Sequence, residues 1–312
     1  DLSSRTREKN NWSNYVKGVL AKLAERQTLS TGFDGMFFGN LALGAGLSSS
    51  AALEIATGLA LGALYRIKIE PLDLARIGQA AEHEFAGVRC GLLDQISSLF
   101  GRENELVMTD FRSLDVRTEA LPAGLAFLIC NTRVKHSLVD SEYNERRARC
   151  EEAARFFAGA LPHPVKALRD VSWEEWKSLA SRMDPVTARR AAHVIGENTR
   201  VQEGCRLLAS GRIAEFGRLM FESHASSRTH FENSCPELDL LVDSARKAPA
   251  VLGARLSGGG FGGSAVLLLR AADAKDTAAY MAEAYRAAFG HPCETMLISP
   301  MSGAALLPTA GE

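Results

Sequence analysis

The chain has 312 residues, of which 46% are apolar, so it is long enough for one large domain or two ordinary domains with complete cores. Its 36 Lys and Arg residues almost balance its 37 Asp and Glu residues. The resulting net charge of −1 gives no basic excess of the kind that binds nucleic acid or an anionic membrane.

The first third of the chain predicts helices and two short strands. Apolar residues recur at helical spacing between Asn11 and Arg26, with Lys and Glu on the opposite face. Good helix formers follow residue 50, and Pro71 stands where a further helix would start. The predicted elements are helices over 11–26, 51–61 and 72–85 and strands over 33–41 and 105–109.

The remaining two thirds predict charged helices and short apolar strands. Dense Arg and Glu between Ser137 and about Gly211 are typical of helices with solvated faces. The predicted elements are a strand over 124–130, helices within 137–211 and over 212–225 and 272–289, and strands over 254–257, 264–269 and 294–299. Because strands and helices mix without regular β-α-β alternation, we expect an α+β fold.

A loop that could bind phosphate lies at residues 43–50, directly before the helix predicted over 51–61. Gly44 and Gly46 allow a tight backbone, and Ser48, Ser49 and Ser50 follow them. The free N–H groups and the dipole at a helix N-terminus favour an anion such as phosphate. No Gly-Lys-Ser/Thr closes the loop, so it is not a Walker motif. The alternative is a Ser-capped helix after a glycine turn.

Asp94 is a candidate general base. It is framed by Leu92, Leu93, Ile96 and Leu99, which would partly desolvate the carboxylate and so suit it to accept a proton from a substrate hydroxyl. The alternative is that Asp94 caps the helix that follows it.

Four further features could carry chemistry, and each has an ordinary structural alternative. Glu82 could reach a metal held by ATP phosphates, or it could be a surface charge. Arg133 or Lys135 could keep a nearby carboxylate ionised, or both could lie in a solvated turn. Tyr143 could contact a polar ligand or simply pack. The glycine run 258–263 could let the backbone approach a ligand, or it could be a hairpin turn.

Seven short strings become informative when they are taken together and in order. They are Gly44-Ala-Gly-Leu-Ser-Ser-Ser-Ala-Ala-Leu-Glu54, Ala81-Glu-His-Glu-Phe-Ala-Gly87, Cys90-Gly-Leu-Leu-Asp-Gln95, Asn131-Thr-Arg-Val-Lys-His-Ser137, Ser141-Glu-Tyr-Asn144, Ser234-Cys-Pro-Glu-Leu-Asp239 and Ser257-Gly-Gly-Gly-Phe-Gly-Gly263. Together they resemble the galactokinases, a family of GHMP small-molecule kinases. The resemblance runs from Trp12 to about residue 300.

The resemblance implies an ATP-dependent sugar 1-kinase, with galactose as the sugar. It implies a two-lobed α+β fold with the active site in the cleft between the lobes. The N-terminal lobe would cover residues 1–120 and the C-terminal lobe residues 121–312. ATP and Mg²⁺ would be the cofactors, with no nucleic-acid or membrane partner, and the protein would be a monomer or a weak homo-oligomer.

The resemblance also implies roles for individual residues. Asp94 matches the catalytic carboxylate beside the anomeric hydroxyl, and Lys135 a basic residue near the active site. Ser50 and Glu82 match the positions that serve Mg²⁺. The sugar contact would come from Tyr143. The phosphate loop would consist of Gly44, Ala45, Gly46, Leu47, Ser48, Ser49, Ser50 and Ala51, and the glycine-run residues placed at the substrate are Gly259 and Gly260.

Three departures from the family pattern qualify this interpretation. The galactokinase signature of the type Gly-Arg-x-Asn-Leu-Ile-Gly-Glu-His-x-Asp-Tyr, which supplies sugar ligands, has no counterpart here. Ala42 replaces the usual Pro, and Thr229-His230 stands where two Asp residues are common. The alternatives are therefore a related sugar 1-kinase, for example for N-acetylgalactosamine, a non-catalytic galactose and ATP sensor, or an inactive truncated form.

The six cysteines are widely spaced and include no CxxC pair. In a chain of this length that pattern favours reduced thiols and a cytoplasmic protein. The chain begins with Asp1 and shows no signal-peptide pattern. We expect this beginning to be an internal position of a longer protein, and we expect residues 1–312 alone to bind ATP weakly without phosphorylating galactose.

Overall fold

The computed structural model describes residues 6–9, 11–39, 41, 48–88, 90–135 and 139–307. The chain divides into two compact units. The first unit is Asp1–Ala120 together with Pro300–Glu312, and the second unit is Leu121–Ser299. The assignment of residues 1–120 and 121–312 to the two kinase lobes stays a prediction. Among the described residues, no helix has the length and apolar character to cross a membrane.

The first unit is a group of helices followed by an antiparallel hairpin. Its apolar helix faces meet in a core that includes Val19, Leu23 and Ile77, as expected where apolar residues recur at helical spacing. The elements are α1 (Ser13–Ala24), α2 (Ser49–Leu64), α3 (Pro71–Ala81), α4 (Leu93–Phe100), β1 (Glu105–Asp110) and β2 (Asp115–Ala120).

Residues 300–304 rejoin the first unit at the end of α4. The N–H groups of Gly303 and Ala304 donate to the carbonyls of Gly101 and Ser98, at 2.8 and 2.7 Å. The last described part of the chain thereby ties down the C-terminal end of α4.

The second unit contains a four-stranded antiparallel sheet in the order β4-β5-β3-β6, covered by helices. Its core includes Leu128, Leu267 and Met281, all nearly inaccessible. The elements are β3 (Leu125–Lys135), α5 (Val139–Ala160), α6 (Trp173–Leu179), α7 (Pro185–Ala209), α8 (Ile213–Ser226), α9 (Pro236–Ala245), β4 (Val251–Leu256), β5 (Gly262–Arg270), α10 (Ala274–Phe289) and β6 (Glu294–Ile298). Helix α8 lies directly on β4, since a Cβ at Gly217 would meet the carbonyl oxygen of Leu252 at 2.1 Å.

The α+β class is confirmed, and most predicted elements are present. The strand predicted over 33–41 is wrong: its described residues form no strand, and Met36 and Phe38 are 95% and 98% exposed. An isolated apolar run becomes a strand only where another strand offers its hydrogen bonds. The helix predicted to reach residue 85 ends at Ala81 and continues as a π-helical turn, Glu82–Ala86.

Candidate active site

The first candidate region is the start of α2. Ser48 is the residue before the helix, and its backbone is left-handed, with φ 55° and ψ 40°. Its side chain makes no capping hydrogen bond, so the alternative of an ordinary Ser-capped helix is wrong. Ser49 and Ser50 lie half-buried in the first turn, where helical N–H groups have no helical partner. Among the described residues, this end of the helix thus offers backbone donors of the kind that an anion requires.

The structure describes only some of the residues predicted to form the phosphate loop. Ala51 is 1% exposed, so its methyl group belongs to the core and only its backbone could serve a phosphate. Gly44, Ala45, Gly46 and Leu47 lie outside the described residues. The role of the whole loop in binding ATP stays a prediction.

Glu82 is buried at the junction of α3 and the π-helical turn. It is 5% exposed, so the alternative of a surface charge is wrong for this residue. The turn closes when the N–H of Gly87, itself left-handed with φ 83°, donates to the carbonyl of Glu82 at 2.7 Å. Nearby Glu84 is the surface residue, in an ion pair with Lys22 at 2.6 Å.

Asp94 lies in the first turn of α4 and is half-buried. The residue before this helix is Leu92, which makes no side-chain cap, so Asp94 is not the helix cap. A carboxylate in a first helical turn is stabilised by the helix dipole. The predicted apolar frame is correct at fully buried Ile96 and wrong at Leu93, which is 56% exposed.

Glu54 and Gln95 join α2 to α4, and sequence reasoning assigned neither of them a role. Glu54 is fully buried and accepts a hydrogen bond from Nε2 of Gln95 at 3.1 Å. Burial raises the pKa of Glu54 to about 9; the Gln95 bond opposes this, and the charges of Glu82 and Asp94 add to it. The available signal was an acidic residue inside the apolar run of α2.

Cys90 and Tyr15 complete the surroundings of the buried carboxylates. Burial raises the pKa of the Cys90 thiol to about 12, and its hydrogen bond to Glu82 adds to the shift. Burial also raises the pKa of Tyr15, with contributions from the charges of Glu82 and Glu54. These groups thus lie in a buried acidic region, and no ion pair to Glu54 or Glu82 occurs among the described residues.

The donor set of this region fits Mg²⁺. No group of three or more His, Cys, Asp or Glu in the described part of the chain could hold a metal by itself. Mg²⁺ bound with a nucleotide needs only one or two protein oxygens, because phosphates and water supply the rest. A buried carboxylate at Glu82 and a hydroxyl at Ser50 are oxygen ligands of the kind that Mg²⁺ takes. Direct coordination by these residues stays a prediction.

In the second unit, the end of β3 lies beside the glycine run. The backbone of Lys135 is opposite that of Gly262, after an irregularity in the strand pairing. The side chains of Lys135 and Tyr143 lie outside the described part of the structure, so their predicted roles stay predictions. Arg133 is exposed and pairs with Glu294 at 3.7 Å, which fits the alternative of a solvated turn.

The glycine run forms the loop between β4 and β5. Gly258 and Gly260 are left-handed, with φ 72° and 83°. A Cβ at Gly259 would meet nothing within 4 Å, whereas one at Gly260 would lie 2.0 Å from the carbonyl oxygen of Asn233. One side of the loop is therefore open and the other packs on Asn233. Substrate contact at Gly259 and Gly260 stays a prediction.

Family models and solved structures identify this arrangement. Residues 14–102 match the model of the GHMP kinases N-terminal domain, and residues 206–287 match that of the GHMP kinases C-terminal domain. The structure is similar to that of Lactococcus lactis galactokinase complexed with galactose, with a TM-score of 0.91 and 31% sequence identity over 97% of this chain and 78% of that one. The chain belongs to the GHMP kinase family.

More distant GHMP kinases share the fold. Homoserine kinase from Cytophaga hutchinsonii matches with a TM-score of 0.56 and 18% identity over 95% of this chain and 79% of its own. L. major mevalonate kinase, in complex with R-mevalonate, matches with a TM-score of 0.53 and 19% identity over 83% of this chain and 67% of its own. The resemblance to the galactokinases and the prediction of a kinase are confirmed.

The matched segments contain most of the candidate residues of this GHMP kinase. The N-terminal segment includes Ser50, Glu82 and Asp94, and the C-terminal segment includes Gly259 and Gly260. Lys135 and Tyr143 lie between the two segments, so the family models do not cover them.

Proposed function

We propose that this GHMP kinase transfers the γ-phosphate of ATP to the anomeric hydroxyl of galactose, giving galactose 1-phosphate and ADP. The observation that carries the proposal is the match to a galactokinase that binds galactose, at 31% identity over 97% of this chain. The strings around Asp94 and Lys135, which separate galactokinases from mevalonate and homoserine kinases, support the same substrate.

Asp94 is the proposed general base. Its carboxylate accepts the proton of the anomeric hydroxyl as that oxygen forms a bond to the γ-phosphorus, and the bond from phosphorus to the bridging oxygen of ADP breaks. The first turn of α2 is the proposed phosphate site, because its N–H groups and dipole attract anionic oxygens. Ser50 and Glu82 are the proposed Mg²⁺ ligands, and the ion would neutralise phosphate charge during transfer.

The second unit contributes the remaining proposed contacts. Tyr143, the open side of the glycine loop at Gly259 and the neighbouring backbone of Gly260 would contact the sugar. Lys135, whose backbone is opposite Gly262, would add positive charge near the transferred phosphate. These contacts would orient the hydroxyl for in-line transfer.

An ADP-release assay on the protein expressed from its complete reading frame tests this function. We expect turnover that requires both ATP and galactose and is much lower with N-acetylgalactosamine, mevalonate or homoserine. 1-Deoxygalactose, which lacks the anomeric hydroxyl, is the matched control and should give no turnover. Faster turnover with N-acetylgalactosamine would assign the related sugar 1-kinase instead. Binding of galactose and ATP without turnover would indicate the sensor.

A further inference from the structure

Two buried arginines fix the turn that follows α8. Arg146, on α5, is 8% exposed, and its guanidinium donates from Nε to the carbonyl of Phe231 at 2.7 Å and from a terminal nitrogen to the carbonyl of Glu232 at 3.0 Å. Main-chain carbonyls in a turn lack the regular partners of a helix or strand. The arginine therefore replaces those partners with one rigid group.

Arg190, on α7, holds the same turn from a second helix. It is 2% exposed, donates to the carbonyl of His230 at 2.5 Å, and contacts a carboxylate oxygen of Glu232 at 2.7 Å. Glu232 is left-handed, with φ 54°. Three consecutive carbonyls and a strained residue are thus held in a single conformation, which fixes where the next residue, Asn233, lies.

Asn233 connects this turn to the glycine loop, residues 258–263. Its Nδ2 donates to the carbonyl of Gly259 at 3.0 Å, and its own carbonyl accepts from the N–H of Phe261 at 2.7 Å. Asn233 is 6% exposed, and its Oδ1 is buried with no hydrogen-bond partner among the described residues. An unsatisfied buried acceptor costs stability, so the orientation of this amide is set by the bond to Gly259.

Residues 262 and 263 of the loop are held by β3, where Thr132 Oγ1 donates to the carbonyl of Gly263 at 2.8 Å. From residue 258 to residue 261, the described contacts come from the side of Asn233. Gly260 packs on the backbone of Asn233, and the ring of Phe261 lies 5.6 Å from the guanidinium carbon of Arg146. On the other side, a Cβ at Gly258 or Gly259 would meet nothing within 4 Å. A loop rich in glycine has many accessible backbone conformations, so these contacts restrict it while they leave one side free for a ligand.

We infer that Asn233 is a positioning residue that holds the glycine loop in the conformation that receives the sugar. The inference rests on the proposed function, because it takes the open side of the loop as part of the sugar site. Asn233 acts through Gly259 and Phe261 and does not itself touch the reacting atoms. Without the side-chain amide of Asn233, the loop adopts more conformations. Because only a fraction of them binds the sugar, the apparent affinity for the sugar falls.

The experiment compares N233A and N233D with the parent protein expressed from its complete reading frame. N233A removes the donor to Gly259, and N233D keeps the size of the side chain but replaces the donor by a carboxylate. We expect KM for galactose to rise about fivefold or more in both variants, as for loss of one positioning hydrogen bond. We expect KM for MgATP to change less than twofold. Hydrogen–deuterium exchange of residues 258–264, measured without substrate, should become faster in both variants.

Ser223→Ala is the matched control. Ser223 is 4% exposed and donates to Glu197 at 2.8 Å, and neither side chain is bonded to residues 258–263 among the described contacts. S223A should lower the melting temperature of the protein while it leaves KM for galactose and the exchange of the loop unchanged.

Each other outcome overturns the inference. Unchanged exchange in N233A shows that the amide does not hold the loop. Faster exchange with an unchanged KM for galactose shows that the loop is held but does not serve the sugar, and the kinase function then stands. A parent protein that does not phosphorylate galactose removes the proposed function, and this role with it, which is distinct from a defect confined to the Asn233 variants.

Discussion

The two units bury ionisable side chains in opposite ways. In the first unit, Glu54 and Glu82 are 0% and 5% exposed, and the described residues offer neither of them an ion pair. In the second unit, Arg146 and Arg190 are as deeply buried, but their guanidinium groups reach carbonyls and the carboxylate of Glu232. A buried ionisable group without a partner of opposite charge is costly, and such groups are often found at functional sites. The first unit thus buries acids without an ion pair, and the second unit buries arginines whose bonds hold a turn of the chain.

One buried group in each unit makes stability depend on pH, and the two dependences have opposite signs. Burial raises the pKa of Glu54 in the first unit to about 9. Burial lowers the pKa of His193 in the second unit to about 4; the charge of Glu197 opposes this shift, and those of Arg200 and Arg255 reinforce it. The folded state therefore favours the neutral form of both side chains. The contribution of Glu54 to stability thus falls as pH rises above 4.5, and that of His193 falls as pH drops below 6.5.

The largest expected effect is that of Asp94→Asn, in the first unit. The amide keeps the shape of the side chain but cannot accept the proton of the sugar hydroxyl, so we expect turnover to fall at least about a thousandfold. Binding of MgATP, measured by calorimetry, should change little. Near-normal turnover would remove Asp94 from the proposed chemistry.

The matching test in the second unit is Arg190→Met. It leaves the carbonyl of His230 and one oxygen of Glu232 without their buried donor, and we expect it to lower the free energy of unfolding by about 3 kcal/mol. Arg189→Met is the control, because Arg189 contacts the same carboxylate at 3.1 Å while its side chain is 40% exposed. Its loss should cost less than about 1 kcal/mol. Equal destabilisation of the two variants in urea would contradict the architectural role of Arg190.

The Glu54 carboxyl allows a test in which a variant, Glu54→Gln, becomes more stable relative to the parent protein as pH rises. Folded Glu54 retains its proton up to about pH 9, whereas the unfolded residue ionises near 4.5, so unfolding becomes easier as pH rises between these values. We expect the parent protein to lose about 2–3 kcal/mol relative to Glu54→Gln between pH 5 and pH 7. Urea unfolding at several pH values measures this difference. Glu84→Gln, at an exposed carboxylate, is the control and should show no such pH dependence relative to the parent.

The smallest expected effect distinguishes two neighbouring serines. Ser50→Ala should weaken MgATP binding or turnover about tenfold, as for loss of one metal ligand or one strong hydrogen bond. Ser48→Ala should have less effect, since the Ser48 side chain does not cap α2. The reverse order in calorimetry or kinetics would place the metal on the other hydroxyl.

Local signals in the sequence predicted the local parts of the fold. Periodicity predicts α1 and α3, and the change from glycine and serine to helix formers predicts the start of α2. The strand expected over 33–41 fails because strand formation depends on a distant partner. Helix α9 was missed although Pro236 stands at its first position, a recognised start signal.

The candidate site was predictable only where one residue stands out in its own segment. Asp94 stands out as a carboxylate among leucines, and Glu82 stands out within the string of residues 81–87. The pairing of Glu54 with Gln95 spans 41 positions and that of Asn233 with Gly259 spans 26, so no periodic pattern reveals them. Such contacts are specified by the tertiary fold, which a single sequence does not display.

The return of residues 300–304 to the end of α4 also bears on how the protein is made. The ribosome adds roughly 5–20 residues per second, so the whole second unit takes roughly ten to forty seconds to emerge. Throughout that interval the first unit lacks the segment that bonds to Ser98 and Gly101, while the second unit, which is continuous in the chain, can close on itself. The helix that carries Asp94 is thus among the last parts of the newborn chain to be secured.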